Sequence, residues 1–178
     1  QQVGNLAGIE IPMVLSPGTM IVLDSRPVTR VINRCRYPSD GDIIVPVGTT
    51  IVLGTTSKEI DDPDDYAIEQ WEVDIVLTEG MEMVPKIEEM GIQRCYAGVR
   101  PLYEPPEDLS GGEKGRDVSR AHFVLDHEEL DGLGGFVTIT GGKVTTARLM
   151  AEDTVDLVAE KMGVEEPCRT AEEPLPTA

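Results

Sequence analysis

The sequence predicts an α+β fold, in which a mixed, largely antiparallel sheet with one packed helix is followed by a strand–Gly-Gly–helix unit. Two observations predict it. Short β-branched runs separated by Pro/Gly turns fill residues 13–57, a pattern typical of strands joined by tight connections. After Pro63, and again after Gly142, apolar residues recur at helical intervals, which indicates two helices.

The first part of the chain is predicted to form the sheet and its helix. Strands are expected at 20–23, 28–32, 43–45 and 49–53, with connections short enough for antiparallel pairing. A helix is expected over about 68–84, and Pro85 ends it because proline cannot continue a helix. Trp71, Ile75 and Met81 are expected to face the core.

The second part is predicted to end in a strand–turn–helix. Strands are expected at 95–102 and 122–126, with a polar surface loop over 105–115 between them. A further strand at 135–140 enters the turn Gly141–Gly142 and a helix at 143–162, and Gly163 is the stop of this helix. Its apolar face is formed in part by Leu149, by Val155 or Asp156, and by Val158–Ala159. The predicted domains are 1–134, 135–163 and a tail at 164–178.

The charge of the chain excludes several functions. With 33 acidic and 15 basic residues among 178, the net charge is −18, and such a field repels nucleic acid. Residues 1–57 hold four acids and four bases, so the excess lies in 58–178. A solvated acidic surface that is poor in lysine indicates a protein adapted to high salt. The alternative is an ordinary acidic protein. No apolar stretch approaches the roughly 18 residues of a membrane span.

The cysteines indicate the redox compartment, and the first residue indicates whether the chain is part of a longer protein. Cys35, Cys95 and Cys168 are odd in number and widely spaced, which indicates a reducing compartment and no metal site. The chain begins with Gln1 instead of a methionine, so it is expected to be a segment of a longer protein.

The Gly141–Gly142 turn is the first candidate site. Glycines at a helix N-terminus allow close approach of backbone, and the N–H groups there favour an anionic or electron-rich partner. Lys143, Thr145 and Thr146 add a cation and two hydroxyls. The spaced first glycine of a P-loop is missing, and a plain strand–helix connection remains an alternative.

Arg100 and Arg120 are the second and third candidates. Each arginine lies among apolar and turn residues in a chain poor in bases, and a guanidinium matches phosphate or carboxylate geometry. The alternative is a structural arginine paired with one of the many carboxylates. His122 and His127 are expected to be packing or surface residues.

Several motifs together carry a resemblance to a known family. Three of them resemble, in order, the signatures of the FAD-dependent glycerol-3-phosphate dehydrogenases: Ala97–Leu102, Asp117–Arg120 and Ile139–Glu152. Upstream segments resemble more narrowly the large A subunit of the anaerobic, quinone-linked enzyme: 31–36, 51–56, 72–77 and 125–127. The resemblance extends from about residue 13 to residue 175.

The resemblance implies a D-amino-acid-oxidase-like flavoprotein fold that oxidises sn-glycerol 3-phosphate to dihydroxyacetone phosphate with FAD. Electrons would pass through partner subunits to membrane quinone, which implies a cytoplasmic protein at the inner face of the membrane. Arg100, Arg120 and Lys143 would bind the substrate, with Arg100 and Lys143 catalytic because they stabilise charge on the C2 oxygen. The flavin-facing residues would be Gly141, Gly142, Lys143, Val144 and Thr145.

The chain departs from the family pattern in two places. It lacks the Gly-rich dinucleotide fingerprint that holds the ADP half of FAD, so it is expected to be a segment without the N-terminal dinucleotide-binding half, weak in FAD retention and inactive alone. Met20 stands where aerobic relatives carry a histidine, which leaves the general base unassigned. Two alternatives stay open: a flavin oxidoreductase of an amino or hydroxy acid, and a non-catalytic anion-binding or assembly domain.

Overall fold

The computed structural model describes residues 1–105 and 121–173. In chain order the elements are α1 (Gln2–Leu6), β1 (Met13–Leu23), β2 (Ile32–Asn33), β3 (Ile43–Val47), β4 (Thr50–Gly54), α2 (Gln70–Met83), a 3-10 helix (Pro85–Glu89), β5 (Ile92–Tyr103), β6 (His122–Asp126), α3 (His127–Asp131), β7 (Val137–Gly141), a second 3-10 helix (Val144–Thr146) and α4 (Ala147–Met162). The predicted α+β class, with an antiparallel sheet, one packed helix and a strand–Gly-Gly–helix unit, is confirmed.

The described residues divide into two compact units. The sheet unit comprises residues 14–100, and the GG-turn unit comprises 1–13, 101–105 and 121–173. This division differs from the predicted boundary after residue 134. The reason is that β6 pairs with β7, and Ile9 and Ile11 of the N-terminal segment share a core with Leu125, so sequence-distant segments complete the strand–Gly-Gly–helix unit.

The sheet unit is built on five strands in the order β2-β3-β4-β1-β5. β1 and β3 both pair antiparallel with β4, and the register places Ile21 opposite Leu53. Because side chains alternate across a strand, one sheet face presents a run of buried aliphatic residues to α2 and the first 3-10 helix. The buried core comprises Ile21, Leu23, Ile44, Ile51, Leu53, Val76 and Ile87.

Helix α2 has nearly the predicted bounds, and Ile75 and Met81 pack against the core as predicted. Its buried residues are Glu72, Val76 and Gly80, a line at spacing four. Leu53 packs so closely on Gly80 that a Cβ there would lie 2.9 Å from the leucine Cδ1. Trp71 is 43% exposed and its Nε1 donates to Glu69, so its predicted core position is wrong.

Two other predicted elements need correction. The strand expected at 28–32 reduces to Ile32–Asn33, because Pro27 has no N–H and the Arg26 guanidinium takes the Val28 carbonyl. The helix expected from 143 begins at Ala147, after a 3-10 turn.

In the GG-turn unit, β6 and β7 form an antiparallel pair with His122 opposite Gly141. A small core of Ile9, Ile11, Tyr103 and Leu125 packs here. Helix α4 buries none of its residues fully. The following residues of its predicted apolar face are exposed: Leu149, Val155 and Val158. As predicted, Gly163 ends the helix in the left-handed conformation (φ 68°).

Candidate functional site

Arg100 lies within β5 in the sheet unit and is half-buried. Its guanidinium donates to the carbonyl oxygens of Ser16 (3.3 Å) and Thr56 (3.5 Å) and to the Thr55 hydroxyl (3.0 Å). A guanidinium has five N–H donors in a planar fork, a geometry that matches phosphate and carboxylate oxygens. These contacts to β1 and to the segment after β4 hold the head group in one place.

Gly18 provides the space that the Arg100 head group occupies. A Cβ at Gly18 would overlap a terminal nitrogen of Arg100 and the Thr55 hydroxyl, and would lie 2.7 Å from the arginine Cζ. Gly18 follows Pro17 in β1, and residues 16–19 are buried. The strand predicted at 20–23 is part of the longer β1, which continues through Pro17 and Gly18 and accommodates the arginine.

Beneath these contacts lies a carboxylate that the sequence did not single out. Glu72 is fully buried, and its Oε1 accepts hydrogen bonds from the hydroxyls of Thr56 (2.7 Å) and Thr19 (2.8 Å). Burial by itself would raise the pKa of Glu72. The hydrogen bonds from the Glu69 backbone, from Thr56 and Thr19, and from Lys58 outweigh burial, so the pKa of Glu72 lies below its ordinary value.

The Gly141–Gly142 turn lies at the end of β7 in the GG-turn unit, where β7 pairs with the start of β6. Both glycines have φ of 73°, a conformation that costs other residues energy. The Gly142 N–H donates to the Ala121 carbonyl (3.1 Å). A Cβ on Gly141 would overlap that same carbonyl, and one on Gly142 would overlap the Met150 sulfur. The two glycines are therefore required by the packing of the turn itself.

The residues after the glycines are exposed and form the first turn of the second 3-10 helix. The Thr146 hydroxyl accepts from the Lys143 N–H (3.0 Å), so this amide is already used. Lys143 and Thr145 are exposed, and Val144 is 95% exposed. Helix first turns leave N–H groups without intrahelical partners. A cation and such N–H groups are donors of the kind that the carbonyl oxygens and ring nitrogens of a flavin can accept.

His122, which lies opposite Gly141, contacts the carboxylate of Asp153. The His122 Nε2 lies 2.5 Å from an Asp153 oxygen, which connects the start of β6 to α4. His127 is 2% exposed and lies between Asp131 (2.6 Å) and Thr138 (2.9 Å), with Phe136 against its ring. His127 is thus a packing residue, as predicted.

The remaining predictions concern residues outside the described ranges, a metal site, a membrane span and Met20. Arg120 and the motif that contains it, like most of the 105–115 loop, lie outside the described residues. In the described ranges 1–105 and 121–173, no three His, Cys, Asp or Glu side chains gather into a metal site. None of the helices there is long and apolar enough to span a bilayer. Met20 lies in β1 opposite Gly54 and has no ionisable group.

The chain is similar to known proteins over almost its whole length. It is 48% identical over 175 residues to the A1 subunit of the anaerobic glycerol-3-phosphate dehydrogenase of Haloferax volcanii, covering 98% of this chain and 30% of that protein. It is 47% identical over 178 residues to the A subunit of the anaerobic enzyme of Escherichia coli K12, covering 99% of this chain and 32% of that protein. The predicted resemblance is confirmed, and the chain spans about a third of the length of these relatives.

Solved structures give the same fold. The glycerol-3-phosphate dehydrogenase of Bacillus halodurans complexed with FAD superposes with a TM-score of 0.61 at 30% identity, over 89% of this chain and 29% of that chain. The glycine oxidase of Geobacillus kaustophilus superposes with a TM-score of 0.60 at 18% identity, over 92% of this chain and 39% of that chain. The family model described as FAD dependent oxidoreductase matches residues 1–157. The chain therefore belongs to the FAD dependent oxidoreductase family.

Proposed function

We propose that the full-length protein is the catalytic subunit of an FAD-dependent, quinone-linked glycerol-3-phosphate dehydrogenase. The observation that carries this proposal is the 47–48% identity to anaerobic glycerol-3-phosphate dehydrogenase subunits over 98–99% of the chain. The guanidinium of Arg100, positioned by Ser16 and Thr55, supports it with a group whose geometry suits a phosphate dianion.

The reaction is the oxidation of sn-glycerol 3-phosphate to dihydroxyacetone phosphate. FAD, when bound, supplies the acceptor for the hydride that leaves C2. Arg100 and Arg120 hold the substrate phosphate by charge-assisted hydrogen bonds. Lys143 stabilises the negative charge that develops on the C2 oxygen as its hydroxyl proton passes to a general base, which stays unassigned because Met20 stands where aerobic relatives carry a histidine. A cation positioned before the reaction contributes more to catalysis than solvent water does, because it need not reorient.

The Gly-Gly turn supplies the flavin-facing surface in this proposal. Gly141 and Gly142 give the turn its left-handed backbone, and Lys143, Val144 and Thr145 present their exposed groups to the flavin ring. The segment as it stands retains FAD weakly and is inactive alone, because a dinucleotide-binding fingerprint is missing from its sequence.

The electrons then leave through further subunits to membrane quinone, and the protein works at the cytoplasmic face of the membrane through those partners. The subunit names of the relatives support a multi-subunit enzyme. Because this chain is strongly acidic, we expect the partner that contacts it to present basic residues.

The test is anaerobic reduction of flavin in the full-length, FAD-loaded protein. We expect sn-glycerol 3-phosphate to bleach the flavin absorbance, and glycine, sarcosine and malate to leave it unchanged. Replacing Arg100 or Lys143 by alanine should lower the reduction rate by at least about 100-fold. Arg26 is the matched control, since this exposed arginine also donates to backbone carbonyls. The proposal would be overturned if glycine or malate bleached the flavin and sn-glycerol 3-phosphate did not. Full activity of both Arg100→Ala and Lys143→Ala would also overturn it.

A further inference from the structure

The buried carboxylate of Glu72 connects three separate segments of the sheet unit. Its Oε1 accepts from the Thr19 hydroxyl of β1 and from the Thr56 hydroxyl, two residues beyond β4. The Thr56 oxygen also accepts the Thr19 backbone N–H (3.0 Å). A hydroxyl has one proton, so the protons of both threonines point to Glu72 and their lone pairs serve other donors. The three residues form a closed triangle of hydrogen bonds.

The second oxygen of Glu72 fixes the triangle to the start of α2. Oε2 accepts the Glu69 N–H (3.0 Å) and lies 3.1 Å from the Lys58 ammonium. Since the Thr19 proton goes to Glu72, the Tyr66 hydroxyl donates to the Thr19 oxygen (2.8 Å). No buried side-chain nitrogen or oxygen in the described part of the chain lacks a partner. Glu72 is therefore held as an anion by four donors.

The segments that Glu72 joins are the ones that hold Arg100. The guanidinium donates to Ser16 on β1 and to Thr55 and Thr56 after β4, and its head group fills the space above Gly18. Each of these contacts lies within three residues of Thr19 or Thr56. The β1–β4 ladder ends at the pair Met20 and Gly54. Beyond that pair the triangle holds the two segments together, and their separation there contributes to where the guanidinium lies.

We propose that Thr56 and Glu72 are positioning residues that act through Arg100 on substrate affinity. This inference rests on the proposed role of Arg100 in holding the substrate phosphate. A buried ionic network is weak evidence for stability, because a well-packed apolar replacement is often as stable. The location of the network, directly behind the atoms that hold one arginine, indicates positioning instead.

The test uses a double-mutant cycle in the full-length, FAD-loaded enzyme. Thr56→Val keeps the shape of the side chain but removes the donor to Glu72 and the acceptor for Thr19. Thr56→Ser keeps both. Thr78→Val is the matched control, because this exposed threonine on α2 donates to the Asp74 carbonyl within its own helix. Each variant is made with Arg100 present and with Arg100→Ala, since a cycle isolates the coupling between two residues.

Two quantities are measured for each variant. The first is KM for sn-glycerol 3-phosphate, and the second is the Kd for inorganic phosphate by titration calorimetry, which needs no turnover. With Arg100 present, we expect Thr56→Val to raise KM and Kd by about tenfold and to keep kcat within about twofold of the wild type. Thr56→Ser and Thr78→Val should leave KM and Kd unchanged. With Arg100→Ala, Thr56→Val should change neither quantity further.

Either of two results overturns the inference: an equal effect of Thr56→Val in both backgrounds, or a lower melting temperature with KM and Kd unchanged. Failure of the proposed function shows differently. The wild type would then not oxidise sn-glycerol 3-phosphate, while the phosphate cycle would still report the coupling of Thr56 to Arg100. Absence of phosphate binding to the wild type would also count against the inference.

Discussion

Replacing Gly18 by alanine tests the position of Arg100 directly. The new Cβ would lie 2.7 Å from the arginine Cζ and would overlap a terminal nitrogen, whereas carbon atoms in contact are ordinarily about 3.5–4.0 Å apart. The guanidinium must therefore move by about 1 Å. The arginine atoms that clash belong to the end of a flexible side chain, and the Thr55 hydroxyl can move away by rotation about its Cα–Cβ bond. We therefore expect the fold to persist while the arginine loses its contacts to Ser16 and Thr55.

The expected cost follows from that displacement. A misplacement of about 1 Å at a binding group lowers the rate by about 100-fold, which corresponds to about 2.7 kcal/mol of transition-state stabilisation. The assay is kcat/KM for sn-glycerol 3-phosphate in the full-length enzyme with a dye as electron acceptor. The melting temperature is measured on the same samples to separate loss of function from loss of folding.

Gly98→Ala is the control. Gly98 lies in the same strand as Arg100, and a Cβ there would have no heavy atom within 4 Å. We expect Gly98→Ala to keep kcat/KM within about twofold of the wild type. The reasoning about Arg100 would be refuted if Gly18→Ala kept wild-type kcat/KM, or if both variants lost activity equally.

Three further predictions concern stability. Glu72 has a lowered pKa in the folded state, so its ionised form adds to the free energy of unfolding above its unfolded pKa of about 4.3. This contribution is lost as the pH falls through the pKa of the folded state. Glu72→Gln should therefore flatten the acid side of the pH–stability curve, and an unchanged curve would contradict this. Leu53→Ala should lower the free energy of unfolding by about 2–5 kcal/mol because Leu53 is 1% exposed, while Leu130→Ala at 58% exposure should cost less than about 0.5 kcal/mol; denaturant titration would compare them, and equal costs would contradict the core assignment. With a net charge of −18, raising KCl from about 0.1 M to about 1 M should raise the melting temperature through screening, and a falling midpoint would argue against adaptation to salt.

Local signals in the sequence predicted the elements well. Helix α2 was expected over 68–84 and spans Gln70–Met83, because Pro85 supplies an unambiguous stop. Gly163 was expected to end the last helix and does so with the left-handed conformation that glycine adopts freely. Both features depend on a residue whose backbone is unusual, and such residues act on their immediate neighbours.

The inward face of α2 was predicted only in part, since Ile75 and Met81 pack on the core. Apolar spacing placed Trp71 in the core, whereas Glu72 is the buried residue. A carboxylate is stable there because Thr19 and Thr56 meet it, and these partners lie 53 and 16 residues away in sequence. Hydropathy assigns a carboxylate to the surface unless its hydrogen-bond partners are known. The same long-range pairing hides the contacts of Arg100, which reach 84 residues to Ser16.

The most direct test of the central claim is the preference of the full-length enzyme for a phosphorylated substrate. If Arg100, held above Gly18, binds the substrate phosphate, kcat/KM for sn-glycerol 3-phosphate should exceed that for glycerol by at least about 1000-fold in the wild type. Arg100→Ala should reduce this ratio by at least about 100-fold, because glycerol has no phosphate for the arginine to hold. An unchanged ratio in Arg100→Ala would contradict the claim that this arginine recognises the phosphate.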